Sequence, residues 1–376
     1  MKYSWIDISA VPPFVDKERM ILFGAGQGTV EFLDWLDEQA EKPTILAIAD
    51  NDLSMHGNTL RGLKIVSPMA ISALGPARIL VTTISGRETV PIQLANMGVS
   101  RSQICCIGTY PAHADQNLEL LFAFHSKVSV LKPGTTLLHI GPGGFLGLEC
   151  CLYALGMNPI SMDAYSFGNE YPDVTRRIDE YEQSLSRLQT FIRPGEGTKD
   201  ICNRFESIFI RKNGASYLDN DKIPYKYPSR CSAIPLDNES IDAVLSFAVL
   251  EHVRSPKQAV REIHRVLRPG GLALQRIVTR DHRSFGKIEG YHPFSYLEHS
   301  QEQWEELTKD KFHQNRVLPR EWKSLFEAHG FEILHFQILE KSPLDPKTSK
   351  RILAMNPDLT ETDLGAVNCD LIARKR

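Results

Sequence analysis

Two stretches of this sequence combine an apolar run, spaced glycines, a helix-forming run and an acid about twenty residues further on, the pattern with which a strand-turn-helix holds a ribose-bearing ligand. In TLLHIGPGGFLGLE, Thr136 to Glu149, the glycines Gly141, Gly143 and Gly144 permit a tight turn and a close backbone approach. Asp163 ends the next apolar run, NPISMDA, where its carboxylate can accept hydrogen bonds from ribose hydroxyls. Upstream, ILFGAGQGTVEFLDWL places Gly24, Gly26 and Gly28 before a helix and Asp50 at the end of the following strand. Its G-x-G-x-G spacing departs from the full dinucleotide fingerprint. The candidates for handling a proton are His252 in VLEHV and the neighbours Asp281 and His282 in VTRDHRSF, each just after a strand, where a base would assist transfer to a hydroxyl group. Asp281, His282 and His292 could converge on a cation, but no ligand spacing of the HExxH kind accompanies them, and no metal is expected.

These groups need sheets to hold them. From Met20 the chain alternates MILF, TILAIAD, ARILVTT and QICCIG with helical stretches, which predicts parallel strands joined by crossover helices. The reading is a small doubly wound, Rossmann-like domain over residues 1–112, a linker helix over 113–130 punctuated by Pro133-Gly134, and a second domain over 131–376. In the second domain the expected strands are TTLLHI, NPISMDA, AVLSFAV, LALQRIV, FEILHFQILE and NCDLIARK. An insertion at 165–228 contains RRIDEYEQSLSRLQTFI, which reads as helix. In SPKQAVREIHRVLRPGG, Ser255 and Pro256 mark a helix start, Ala259, Val260, Ile263, Val266 and Leu267 form one apolar face, and Gly270 and Gly271 mark the stop. The fold class expected is α/β, with two doubly wound domains.

Composition narrows the partners. The 376 residues carry 43 basic and 46 acidic side chains, a formal charge of -3 that gives no basic footprint for nucleic acid or an anionic membrane. No apolar run approaches the roughly 20 residues a membrane span needs, and MKYSWIDISAVPP lacks the pattern of a secretion signal, so a cytoplasmic location is expected. The seven cysteines form no CxxC, which argues against a disulfide framework or a zinc site. Assembly into a homo-oligomer is left open.

Taken together, HIGPGGFLGLE, SMDAYSF, SAIPLDNESIDAVLSFAVLEHV and EIHRVLRPGG resemble a class I S-adenosylmethionine-dependent methyltransferase, of the type-11-like kind found with polysaccharide biosynthesis genes. The resemblance spans about Leu131 to Arg376, with its blocks in the family's order. It implies a seven-stranded sheet whose last strand pair is antiparallel, and S-adenosylmethionine as cofactor. It also implies that Gly141 and Gly143 lie under the methionine part, that Asp163 holds the ribose, that Ala233 and Ile234 flank the adenine, and that Phe247 and Ala248 line the site. Two positions depart from the pattern. His139 stands where the family carries an acid, leaving two roles open: contact with the cofactor's amino-carboxylate end, or none. Arg230 or Cys231 stands where relatives often carry an Asp toward the adenine.

Further on, the segment from Arg280 to Ile333 is similar to one in methyltransferases encoded with surface-polysaccharide glycosyltransferases, which implies a saccharide or nucleotide-sugar acceptor and makes Tyr291, Phe294, Tyr296 and Trp304 candidates to stack on a sugar. In the first half, ADNDLSMHGNTLRGLKIVSP resembles the nucleotide-sugar-binding domain of certain sugar acetyltransferases. The expected activity is methyl transfer to a saccharide or nucleotide-sugar in surface glycan biosynthesis. The alternatives are an NAD-dependent sugar oxidoreductase and a non-catalytic nucleotide-sugar-binding scaffold.

Overall fold

The computed structural model describes residues 6–7, 13–14, 17–83, 86, 89–109, 112–165, 173–192, 197–286, 291–308, 313–342 and 344–376. Two compact units emerge: Met1–Tyr110 with Arg280–Gln314 and Leu344–Thr360, and Pro111–Thr279 with Asn315–Pro343 and Glu361–Arg376. Among the described residues, no helix is long and apolar enough to cross a membrane.

In the first unit, strand β1 (Ile6–Asp7) pairs antiparallel with β8 (Gly108–Thr109), outside a six-stranded sheet. That sheet is built from β2 (Arg19–Phe23), β3 (Thr44–Ala49), β4 (Thr59–Leu60), β5 (Leu63–Val66), β6 (Arg78–Val81) and β7 (Ile104–Cys106) in the order β4-β5-β3-β2-β6-β7. All its pairings are parallel except the edge hairpin β4-β5. Helix α1 (Gln27–Asp37) follows β2, and α2 (Thr89–Asn96) follows β6. The strands are apolar on both faces because helices cover both: Met20 and Leu22 join the Phe32 side, while Ile21 and Phe23 join the Leu94 side.

The second unit begins earlier than residue 131, where the sequence reading placed its start, and gives up two internal segments to the first. Helix α3 (Ala112–Val128), expected as a linker, buries Leu118, Leu121 and Phe124 in that unit's core. The segment 280–314, expected in the methyltransferase half, belongs with the first unit. The cause is specific: the Tyr291 side chain packs on the core of the first sheet, and its hydroxyl donates to the Ser54 carbonyl oxygen at 2.9 Å.

The second sheet comprises β9 (Thr136–Ile140), β10 (Asn158–Met162), β13 (Tyr225–Lys226), β14 (Ile241–Phe247), β15 (Leu267–Val278), β16 (Phe331–Lys341) and β17 (Ala366–Lys375). Their order is β13-β10-β9-β14-β15-β17-β16, parallel through β15 and antiparallel at β15-β17 and β16-β17. This is the seven-stranded sheet with an antiparallel terminal pair that the resemblance implied. The insertion supplies the seventh strand, β13, together with helices α5 (Ile178–Gln189) and α6 (Thr198–Glu206) and a hairpin of β11 (Phe209–Lys212) and β12 (Ala215–Leu218). Helix α4 (Gly147–Ala154) follows the glycine turn, and α7 (Pro256–Val266) packs Ala259, Val260, Ile263 and Val266 on the opposite face. Leu267 passes directly into β15, so Gly270 and Gly271 lie in a bulge within that strand rather than stopping the helix.

Candidate functional site

Because β9, β10, β13, β14 and β15 run parallel, the residues that follow them gather on one edge of the second sheet, where open α/β sheets receive ligands. Gly141 leaves β9 with its amide donating to the Met162 carbonyl oxygen at 2.8 Å, tying the turn to the end of β10. Its φ is +70°, and an added Cβ would meet the Val249 side chain at 2.5 Å. Both features require glycine. Gly141→Ala should therefore cost roughly 2–4 kcal/mol, the left-handed backbone strain plus overpacking; a urea denaturation midpoint equal to wild type would contradict this packing.

Gly143 differs from Gly141, because a Cβ there would meet nothing within 4 Å, so the turn leaves open space beside its backbone. Asp163 lies next to it, 8 % exposed, its carboxylate accepting from the Tyr165 amide at 2.9 Å and drawing also on the Ala164 and Gly143 backbones. Burial raises its pKa to about 6, and those amides together with His139 pull back against it. An open backbone cradle with a carboxylate at its side fits the methionine and ribose parts of S-adenosylmethionine. The Gly144 carbonyl oxygen is held by the Arg177 guanidinium at 3.1 Å, a contact from the insertion that the glycine pattern could not reveal.

His139 does not face that space. It is 1 % exposed, with Nδ1 2.6 Å from Oε1 of Glu149, a first-turn residue of α4 that is equally buried. The Ser161 hydroxyl donates to the same oxygen at 3.0 Å, and the Phe247 ring stands edge-on to the imidazole at 5.9 Å. His139 thus forms an internal pair through Nδ1, while its Nε2 is buried with no hydrogen-bond partner among the described residues. The acid missing from position 139 is supplied from the helix. Glu149 was recognisable in principle, as a lone acid in the otherwise apolar run LGLECCLYALG, which a fully buried helix carries only with a partner.

The two residues that the resemblance puts beside the adenine differ from each other. Ile234 is buried in the core, and its amide donates to Oε2 of Glu262 at 2.9 Å, while Ala233 is exposed. Arg265, paired with Glu262, donates to the carbonyl oxygens of Ile234 and Leu236 at 2.8 Å each, clamping the loop onto α7. Of the expected pair, then, only Ala233 is open to a ligand. Cys231 is buried among the same apolar residues, its thiol pushed up to about 12 by burial. Phe247 closes β14 and is 9 % exposed.

Beyond β14 the chain turns through Ala248, at φ +55°, into the one-turn helix Leu250–His252. His252 stands half-buried at this edge. Its neighbour Glu251, which the strand ending at VLEHV places at the same carboxyl edge, is 1 % exposed, and neither carboxylate oxygen has a hydrogen-bond partner of ordinary geometry among the described residues. Burial drives its pKa to about 8, opposed by its own amide and that of Val278. The folded state therefore prefers the protonated acid, and the stability this preference contributes is complete below the ordinary pKa of 4.5 and lost as pH rises toward 8. In Glu251→Gln that slope should vanish and the variant should exceed wild type by more than about 1 kcal/mol at pH 8. Parallel denaturation curves from pH 5 to 8 for the two proteins would exclude it.

Asp281 and His282 belong to the first unit and His252 to the second. Asp281 is fully buried and gripped by Arg283, whose Nη2 and Nε lie 2.6 and 3.0 Å from its oxygens. Arg283 also stacks over Tyr291 and Trp304, at 4.6 and 5.0 Å from their ring centres. A carboxylate so paired is a structural anchor rather than an available base. The His282 amide donates to the Gln314 side chain at 3.1 Å, and His292 approaches Glu298 at 3.2 Å. The aromatic group expected to stack on a sugar is core instead: Phe294 and Tyr296 are fully buried, and the Trp304 indole donates to the Gln314 carbonyl oxygen at 2.7 Å.

In the first unit the turn Gly24 to Gly28 sits between β2 and α1. A Cβ on Gly28 would come within 2.1 Å of the Thr82 carbonyl oxygen, so this glycine serves close packing of the helix on β6. Gly26 begins α1 with open space at its Cβ position. The two oxygens of Asp50, expected on a ribose, accept from the Ala25 and Asp52 amides at 2.7 Å each. The acid closes its own glycine turn.

Comparison with known proteins divides along the same lines. Residues 16–105 match the family described as C2185-like, N-terminal, and residues 215–274 match the family described as Methyltransferase domain. A curated protein of Mycolicibacterium smegmatis, named "Probable S-adenosylmethionine-dependent methyltransferase", is 38 % identical over 100 residues, 27 % of this chain. The match spans 32 % of that relative, about a third of its length. Among solved structures, an S-adenosylmethionine-dependent methyltransferase from Mesorhizobium loti aligns over 70 % of this chain and 100 % of its own at 15 % identity and a TM-score of 0.35. One from Methanosarcina mazei aligns over 67 % and 96 % at 18 % identity and a TM-score of 0.35, and neither likeness is close enough to bear on function. Residues 215–274, which run from β12 through β14 and α7 into β15, thus carry a methyltransferase domain, and the cofactor that this domain implies is S-adenosylmethionine.

Proposed function

We propose that the protein transfers a methyl group from S-adenosylmethionine to a saccharide or nucleotide-sugar acceptor in surface glycan biosynthesis. The observation that supports it most is the conjunction of the open Gly143 backbone with the buried Asp163 carboxylate, in a sheet whose residues 215–274 match a methyltransferase domain. When bound, the cofactor supplies an activated methyl group on a sulfonium. The chain's part is to bind and orient: the Gly141–Gly144 turn offers backbone donors, Asp163 accepts from the ribose hydroxyls, and Phe247 walls the site. Methyl transfer depends on close, in-line placement, so holding the two reactants rigidly accounts for most of the expected acceleration.

A hydroxyl acceptor also needs somewhere to place its proton. His252 is the group we assign to it, since it lies half-buried just beyond β14 while Asp281 is committed to Arg283. The first unit, in this reading, binds the nucleotide part of the acceptor through the open start of α1 at Gly26. A dinucleotide reading fits less well, because the glycines Gly24, Gly26 and Gly28 follow a G-x-G-x-G spacing rather than the full fingerprint. The experiment is to incubate the purified protein with methyl-labelled S-adenosylmethionine and a panel of nucleotide-sugars and free saccharides. Label in a sugar, abolished by Asp163→Ala and slowed by His252→Ala without loss of cofactor affinity, is the expected result; label in another class of molecule would refute the acceptor assignment.

A further inference from the structure

A second recess opens on the opposite edge of the second unit's sheet, away from the glycine turn. Its volume is about 790 Å³, within the range of small-molecule pockets. One wall comes from the end of α3 and the approach to β9, with the exposed Lys127 and Lys132. The other comes from the β15 bulge and the end of β17, with Arg268 and the exposed Arg374. The single acid lining it, Asp242, is occupied: it pairs with Arg268 and accepts from the Thr136 amide at 2.8 Å. Arg374 has only a loose pairing at 3.8 Å with the exposed Glu332. Cationic charge therefore exceeds anionic charge across the recess.

The surface between these cations is not wholly polar. Val128, Val130, Pro269, Leu272 and Leu334 present apolar surface, and His335 lines the same space, its Nε2 buried at the wall and lacking a hydrogen-bond partner among the described residues. Cations on facing walls with an apolar strip and one unused imidazole nitrogen match a ligand bearing two linked phosphates and a flat heteroaromatic ring. We propose that this recess is a binding site for a nucleoside diphosphate or its sugar conjugate, separate from the methyl-transfer edge. The geometry assigns Lys127, Lys132 and Arg374 to the phosphates and His335 to the base. The inference does not rest on the methyltransferase reading.

The test uses the full chain and uridine diphosphate, with inorganic pyrophosphate as the base-free probe. Binding is followed by calorimetry at about 0.15 M salt, where weak surface attraction is largely screened, and located by hydrogen exchange. Expected are protection of residues 127–135 and 268–272, tighter binding of uridine diphosphate than of pyrophosphate, and at least a tenfold rise in Kd in the Lys127→Glu/Lys132→Glu variant at unchanged melting temperature. His335→Ala should weaken uridine diphosphate but not pyrophosphate. An unchanged Kd in the charge-reversed variant, or protection confined to the first unit, would overturn the assignment. So would the absence of binding by either probe.

Discussion

If Asp163 accepts from the ribose hydroxyls as proposed, replacing it by Ala should lower the affinity for S-adenosylmethionine by roughly 1–3 kcal/mol, about fivefold to 150-fold. The same residue sets a pH dependence. Burial holds its pKa near 6, so the carboxylate is ionised and accepting above that value and protonated below it. Affinity should be flat from pH 7 to 8 and weaken by about tenfold per unit as pH falls below 6. In Asp163→Asn the slope should disappear while the protein remains folded. The stability effect has the opposite sign: the raised pKa favours the protonated acid in the ligand-free fold, so stability is complete below 3.8 and declines as pH rises through about 6. Cofactor binding and ligand-free stability should therefore move in opposite directions over this window. Calorimetric titration with S-adenosylhomocysteine at each pH decides the first, and urea denaturation decides the second. A pH-independent Kd in the wild type would remove Asp163 from the ribose.

The second large effect concerns the pair beneath the turn. Glu149→Leu leaves the His139 Nδ1 and the Ser161 hydroxyl buried without their shared acceptor, which should cost about 3 kcal/mol. His139→Leu alone strands the carboxylate and should cost a similar amount. The double variant removes both polar partners at once and should recover most of the loss, since apolar residues of similar volume replace buried pairs at little net cost. A coupling of more than about 1.5 kcal/mol in the double-mutant cycle is expected. Strictly additive losses would show that the two side chains do not act as a unit.

Local pattern made much of this architecture readable. The runs that alternate apolar residues with helical periods appear as the strands and helices they suggested, from ILF in β2 to NCDLIARK in β17. The glycine turn, Asp163 and the apolar face of α7 were legible because each depends on residues close in sequence. What was not legible depends on long-range return of the chain. Nothing local around Arg283 or Tyr291 shows that these residues pack with the first unit, since their partners Ser54 and the β2-β3 core lie more than two hundred residues away. The aromatic spacing that suggested a sugar platform is equally that of a buried core, and burial decided it. Likewise β13 has two residues and no hydrophobic period to announce it; it exists because Ser161 and Met162 of β10 offer it an edge.

His139 shows the limit most clearly. Its position in the glycine motif pointed toward the cofactor, but strand alternation turns it, with Leu137, onto the face covered by α4, where Glu149 meets it. The histidine that stands in place of the acid pairs with an acid ten positions on, in the helix that follows the strand.

The edge formed by Gly141, Gly143 and Asp163 is the proposed seat of S-adenosylmethionine. Its most direct test is calorimetric titration of the purified protein with S-adenosylhomocysteine and, separately, with NAD. One S-adenosylhomocysteine per chain, weakened at least about fivefold by Asp163→Ala, with no heat from NAD, is the predicted result. Binding of NAD with no response to S-adenosylhomocysteine would contradict it.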